Sequence, residues 1–221
     1  MRVLIVGASR GIGLEFVRQY RADGATVTAT ARDDAALARL KDLGASALRI
    51  DVADAASASG LGRQIEGAGF DIAIVNAGVS GERLGPMAAP TGVDFDAVMH
   101  TNVLGPMRVI PQIAEALAPG AKLAVLSSRM GSIGSRTMAN SGLYRASKAA
   151  VNSVLKDASI ALAGKAVCIS FHPGWVRTDM GGSGADIAVD ASVAGMRKVL
   201  AGLAPADNGS FFNFDGEPIA W

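Results

Sequence analysis

Tyr144 and Lys148 stand four residues apart in Gly142-Leu143-Tyr144-Arg145-Ala146-Ser147-Lys148, a spacing that stacks two side chains on one face of a helix. A free phenol titrates near 10, so at neutral pH it is a poor proton shuttle. A lysine cation at roughly 4 Å, in an effective dielectric near 20, is worth about 4 kcal/mol, enough to lower the phenol by about three units. A tyrosine tuned in this way can serve as general acid toward the oxygen of a ketone. Ser127-Ser128 closes the apolar run Leu123 to Leu126, and a serine hydroxyl beside the phenol would hold and polarise that same oxygen. Asn102 follows another apolar stretch. A tyrosine and a lysine at helical spacing also make an ordinary surface pair, so the rest of the chain must decide between the two.

A second group of residues could hold a phosphate. The first apolar run empties into Gly7-Ala8-Ser9-Arg10-Gly11-Ile12-Gly13, where glycines allow a tight turn and amide hydrogens at a helix start face an anion. A carboxylate about 20 residues further on would mark a free ribose 2′-hydroxyl. Here the second strand instead ends at Arg32, and Arg10 sits inside the glycine turn. Two guanidinium forks can converge on a 2′-phosphate, which points to NADP(H). Asp33 and Asp34 follow, with N-capping of the next helix as their expected part. Asp51-Val52 closes the third strand, where the carboxylate can accept from an adenine amino group and the valine can cover the ring. Asn76-Ala77-Gly78 closes the fourth.

These groups need a scaffold that brings strand ends together. Short β-branched runs fall near 2 to 6, 26 to 30, 46 to 50, 71 to 75, 121 to 126, 165 to 171 and 211 to 214. Helical segments are expected near 11 to 23, 33 to 43, 56 to 66, 94 to 118, 144 to 163 and 186 to 202. Strand and helix alternating throughout predict an α/β doubly wound parallel sheet with helices on both faces, a single Rossmann domain over 1–221. Ile72 to Val75 and Leu123 to Leu126 are continuously apolar, as strands covered on both faces should be. In that architecture ligands bind beyond the carboxyl ends of the strands, where every motif above falls.

Composition narrows the function. The 21 basic and 20 acidic residues nearly cancel and 5% of residues are aromatic, which gives no footprint for nucleic acid or for an anionic membrane. The short apolar run behind Met1 predicts neither a signal peptide nor a membrane span, and a cytoplasmic location is expected. A lone cysteine, Cys168, excludes an internal disulfide and a cysteine-built zinc site, and no metal is expected. His100 and His172 are expected to be structural or cleft-lining, because the acid chemistry leaves no part for an imidazole.

Taken together, Gly7-x3-Gly11-x-Gly13, Asp51, Asn76-Ala77-Gly78, Asn102, Ser128, Tyr144-x3-Lys148 and Pro173-Gly174 resemble the short-chain dehydrogenase/reductase family over nearly the whole chain. Phe171 to Met180 and Asp215 to Trp221 look most similar to its C-factor and sniffer-type carbonyl reductase branch. The resemblance implies hydride transfer between NADP(H) and a carbonyl or alcohol carbon of a small molecule. Tyr144 would be the acid or base, and Lys148 would lower its pKa and hold the nicotinamide ribose. Ser128, preferred to Ser127 because Ser128-x-x-Gly131 fits the family pattern, would orient the carbonyl. Asn102 would position a relay water behind Lys148. Thr178 would bond the nicotinamide carboxamide and Ile12 would pack near the ring, with Ser9, Pro173, Gly174 and Val176 also on the cofactor side. The resemblance further implies a homodimer, or a monomer as in some related branches. The C-factor likeness raises a second reading, a nucleotide-binding developmental signalling protein with incidental reductase activity. The stretch from Ser128 to Tyr144 is longer than the family's usual spacing, and only Gly181 to Ala185 separate Met180 from the next helix. An open, permissive site with a flexible glycine flap is therefore expected.

Overall fold

A computed structural model describes residues Met1–Trp221. Seven parallel strands make one sheet in the order β3-β2-β1-β4-β5-β6-β7. They are β1 Arg2–Val6, β2 Thr26–Ala31, β3 Ser46–Arg49, β4 Phe70–Val75, β5 Leu117–Leu126, β6 Ala166–His172 and β7 Ser210–Asn213. The helices are α1 Gly11–Ala22, α2 Asp34–Asp42, α3 Ala55–Ser59, α4 Leu61–Ile65, α5 Gly92–Met99, α6 Gly105–Glu115, α7 Gly142–Ala161 and α8 Val189–Gly202. The expected doubly wound sheet is what the chain forms.

The continuously apolar strands have a direct explanation in the packing. Val3 and Ile5 enter one core of 23 buried residues with α1 and α8, while Leu4 and Val6 enter a second core of 23 on the opposite face. Ile72 and Ile74 divide from Ala73 and Val75 in the same way. Period-two side chains then give no polar face. Each fully buried Leu, Ile, Val or Phe contributes about 1.5–3 kcal/mol, so both faces hold the sheet. Cys168 lies wholly buried in the second core, and burial pushes its thiol up to about 11.

Two elements differ from expectation. The helix expected over 94 to 118 is two helices joined by a π-helical segment, His100–Leu104. Hydrophobic spacing does not register that extra residue per turn, and Pro106 and Pro111 supply no amide hydrogens to the ladder that follows. The same chain re-enters the sheet at Leu117, paired with Phe70, before a register shift and the main pairing from Lys122 onward. The helix expected over 56 to 66 is likewise split at Gly60 into α3 and α4.

Strand order reverses between the paired neighbours β1 and β4: the chain proceeds from β1 toward one edge of the sheet and from β4 toward the other. The crevice above their carboxyl ends is where a doubly wound sheet binds ligands.

Candidate active site

The turn after β1 forms one wall of that crevice. Arg10 precedes α1 with an extended backbone and makes no side-chain cap, which leaves the first-turn amides of the helix to a ligand. The Gly7 amide donates to Thr30 Oγ1 at 3.0 Å, and Asn76 Nδ2 donates to the Gly7 carbonyl at 2.5 Å. Gly7 has φ +88, and a Cβ there would lie 2.7 Å from Ala77 Cα; one on Gly13 would lie 2.7 Å from Asn76 Nδ2. Glycine is therefore required where the turn crosses Asn76-Ala77.

The crevice has a volume of ≈ 410 Å³. Of the expected cofactor residues, Gly7, Ser9, Arg10, Gly11, Ile12, Arg32, Asp51, Val52, Asn76, Ala77, Gly78 and Thr178 line it. Gly13 packs beneath the turn. Pro173, Gly174 and Val176 do not reach the lining: the Pro173 carbonyl accepts from Ser192 Oγ at 2.6 Å, and buried Val176 pairs with Ile187. They brace the far wall. Met180, a loop methionine expected to edge the cleft, lines it too, and Thr30, Ala31, Ile50, Val79, Thr101, Arg177 and Asp179 line it without having been expected. Each of these seven adjoins an expected residue or lies at the end of a strand, and strand ends were the available signal.

The expected convergence of Arg10 and Arg32 is not present. Arg32 leans toward Asp51, Nη1 to Oδ2 at 3.9 Å, while Arg10 reaches across to Asp179, Nη1 to Oδ2 at 2.7 Å. Each guanidinium is paired with a carboxylate of the crevice lining. Asp33 caps α2 as expected, accepting from the Ala36 amide at 2.8 Å. Thr178 lies over the glycine turn, its Cγ2 3.3 Å from where a Gly11 Cβ would be.

Asn102, Ser128, Tyr144 and Lys148 gather beyond Gly78, outside the residues that line the crevice itself. A Cβ on Gly78 would lie 3.3 Å from both Asn102 Oδ1 and Lys148 Nζ, which measures how closely the two groups approach. The buried Asn102 amide is fixed by the π segment: Oδ1 accepts from the Val79 amide, and Nδ2 donates to the Val79 carbonyl and to Ser147 Oγ. Lys148, 5% exposed, donates from Nζ to the Leu126 carbonyl at 2.8 Å and sits 5.7 Å from the Tyr144 ring centroid.

Of the two serines, Ser127 turns inward and donates to the Lys148 carbonyl at 3.2 Å. Ser128 instead accepts from the Met130 amide and lies beside the Tyr144 phenol. The long stretch after it, with Ile133 and Met138 exposed, docks on the chain's last residues: Ser132 Oγ donates to the Ala220 carbonyl at 2.6 Å and the Gly134 amide to the main-chain oxygen of Trp221 at 3.0 Å.

The electrostatics reverse one expectation. Burial raises the Tyr144 phenol above its ordinary value, and the Ser128 hydroxyl pulls it only partly back. Burial also pushes Lys148 down to about 8. The low-dielectric surroundings disfavour both charged forms, phenolate and ammonium. The phenol therefore stays protonated at neutral pH, the state in which a general acid starts. His172, half-buried near Arg129 and Asp215, is pushed down to about 4 by burial and stays neutral. His100 is exposed at the start of the π segment.

The glycine segment is short, as expected, yet it is strapped. Arg83 Nη2 donates to the Met180 carbonyl at 2.8 Å, Trp175 Nε1 to the Gly181 carbonyl at 3.0 Å, and the Gly181 amide to Thr178 Oγ1 at 3.2 Å. It is a tied turn in place of a loose flap.

A glycine turn on a strand end, an amide-lined crevice and a Tyr-Lys-Ser-Asn group at its far end now stand together. A profile of the short chain dehydrogenases matches residues 1–186. The chain belongs to the short-chain dehydrogenase family. It is an oxidoreductase of that family. The C-signal protein of Myxococcus xanthus is 40% identical over 157 residues, which is 68% of this chain and 92% of that one. The carbonyl reductase Sniffer of D. melanogaster superposes with a TM-score of 0.89 at 29% identity, over 100% of this chain and 99% of that chain. An NADPH-bound carbonyl reductase from chicken fatty liver superposes with a TM-score of 0.87 at 32% identity, over 100% and 98%. The expected likeness to the C-factor and sniffer branch is thus met in sequence and in structure.

Proposed function

We propose that this short-chain dehydrogenase is an NADP(H)-dependent carbonyl reductase acting on small aldehydes or ketones. The observation that carries the reading is the gathering of Ser128, Tyr144, Lys148 and Asn102 at one end of a crevice with two arginines along its walls. The crevice suits the cofactor: free amides at the start of α1 meet a pyrophosphate, Asp51 and Val52 meet an adenine, and Arg10 and Arg32 are within the lining for a 2′-phosphate. The NADPH held by the chicken enzyme supports the same choice. Bound there, the reduced nicotinamide supplies the hydride.

The chain's own residues then handle the oxygen and its proton. Ser128 donates from its hydroxyl to the carbonyl oxygen and fixes it beside the phenol. Tyr144 transfers its phenolic proton to that oxygen as negative charge develops, which leaves an alcohol and a phenolate. Lys148 stabilises the phenolate with its ammonium and holds the nicotinamide ribose with the donors that Leu126 does not take. A relay water bridging Asn102 Oδ1 and Lys148 Nζ, which approach each other over Gly78, would restore the proton from solvent. Tyr144→Phe should bind NADPH as wild type does and lose turnover; full activity in that variant would end this mechanism. Arg32→Glu should reverse the preference between NADPH and NADH, and an unchanged ratio would reduce Arg32 to a surface charge.

The likeness to C-signal favours one second reading, a nucleotide-binding signalling protein in which reduction is incidental. NADPH binding without turnover on any member of a carbonyl panel would support it over the reductase.

A further inference from the structure

Arg10 and Asp179 face each other from opposite walls of the crevice, and the contact at 2.7 Å is the one hydrogen bond the Arg10 guanidinium makes. Arg10 belongs to the glycine turn; Asp179 follows Thr178 on the far wall. Resting on the reading of Arg10 and Arg32 as the 2′-phosphate site, we propose that Asp179 sets the cofactor preference by competing for Arg10. Arg10 can serve the phosphate only by leaving the carboxylate, so binding of NADP(H) is an exchange of one anion for another. A phosphate dianion with three acceptor oxygens is the stronger partner, and the exchange runs forward.

The strength of this competition follows from exposure. Both side chains are more than two-thirds exposed, at 73% and 71%, so the pair is a weak surface ion pair. Such pairs alter affinities by about 1.5- to 5-fold. The far wall does not open when Arg10 leaves, because Arg83 still holds the Met180 carbonyl and Trp175 the Gly181 carbonyl. The consequence falls on cofactor choice alone. NADH lacks the 2′-phosphate and leaves Arg10 with Asp179, whereas the negative charge of Asp179 acts on the pyrophosphate of either cofactor alike. Direct repulsion between Asp179 and the 2′-phosphate would also move the NADPH-to-NADH affinity ratio, but without needing Arg10, so the ratio in an Arg10→Ala background separates it from the competition.

The test is a calorimetric titration of NADPH and NADH into wild type, Asp179→Asn, Arg10→Ala and the double variant, all changes at exposed side chains. Asp179→Asn should raise the ratio in favour of NADPH by about threefold. In the Arg10→Ala background the same change should leave the ratio where Arg10→Ala put it. An unchanged ratio in Asp179→Asn, or a gain that persists without Arg10, overturns the proposal while leaving Arg10 as a phosphate ligand. A wild-type ratio in Arg10→Ala alone would instead remove the reading of Arg10 and the proposal with it.

Discussion

Tyr144 and Lys148 show what a side chain's surroundings add to its spacing. The four-residue interval correctly placed both on one face of α7, but the lowering of the phenol expected from the lysine gave way to burial, which no interval reveals. Ser-x-x-Gly favoured Ser128 over Ser127, and the placement agrees with that preference: Ser127 is bonded to the Lys148 carbonyl, while Ser128 lies beside the Tyr144 phenol. Reduction should slow as pH rises past about 8, because Lys148 loses its charge there while Tyr144 remains protonated; a rate flat from pH 7 to 10 would contradict this. The folded lysine's pKa lies below its unfolded value of 10.5, so the unfolded chain binds the extra proton between about pH 8 and 10.5. Its burial thus costs stability below pH 8, a cost relieved as pH rises through that window. Lys148→Met should accordingly be inactive yet melt at or above the wild-type temperature at pH 7, and a clearly lower melting temperature would show that the bond to Leu126 outweighs the burial. His172 runs over a different window. Neutral in the fold down to about pH 4 and titrating near 6.5 when unfolded, it contributes stability that is present above 6.5 and lost as pH falls toward 4. His172→Gln should lose less stability over that range in chemical denaturation.

At the scale of elements, the strands were the most legible part of the chain, because burial on both faces makes them continuously apolar. The π segment was hidden: hydrophobic spacing over 94 to 118 reads as one helix, and only the backbone shows the widened turn that carries Asn102. That turn aims the Asn102 amide at Val79 and Ser147 and so ties α7 to the floor of the crevice. Asn102→Ala should leave the Val79 amide and carbonyl without their partners and destabilise the protein by about 1–3 kcal/mol, as measured by denaturant unfolding. Gly78→Ala tests the relay separately. Its backbone is not left-handed, so the methyl group is tolerated conformationally, but it would lie 3.3 Å from both Asn102 Oδ1 and Lys148 Nζ and crowd a water that bridges them. Turnover should fall by about tenfold or more with cofactor affinity little changed, an order of loss typical of a weakened proton transfer. Wild-type turnover would place the relay elsewhere. The strapped glycine segment was also beyond the sequence, since its ties come from Arg83 and Trp175, the former nearly a hundred residues away.

For the whole molecule, the doubly wound sheet packed on both faces was legible in the sequence, as was a binding crevice beyond the carboxyl ends of the strands, while the strand order came only from the structure. No helix is long and apolar enough to cross a membrane. The homodimer implied by the family resemblance would pair through the two long helical segments, and there Val93, Phe95, Met107 and Ile160 are exposed on α5, α6 and α7; light scattering of the purified protein would check it, a dimer giving twice the chain mass and a monomer the chain mass. What joins the scales is the claim that one end of the crevice holds NADPH and the other protonates a carbonyl oxygen through Tyr144. The most direct test follows NADPH absorbance on a panel of small aldehydes and ketones with wild type and Tyr144→Phe, alongside NADPH titration of both. The account predicts turnover for wild type on at least one compound, loss of nearly all of it in the variant, and equal NADPH affinity in the two. Turnover that survives in Tyr144→Phe, or wild type that binds NADPH and reduces nothing, would contradict it.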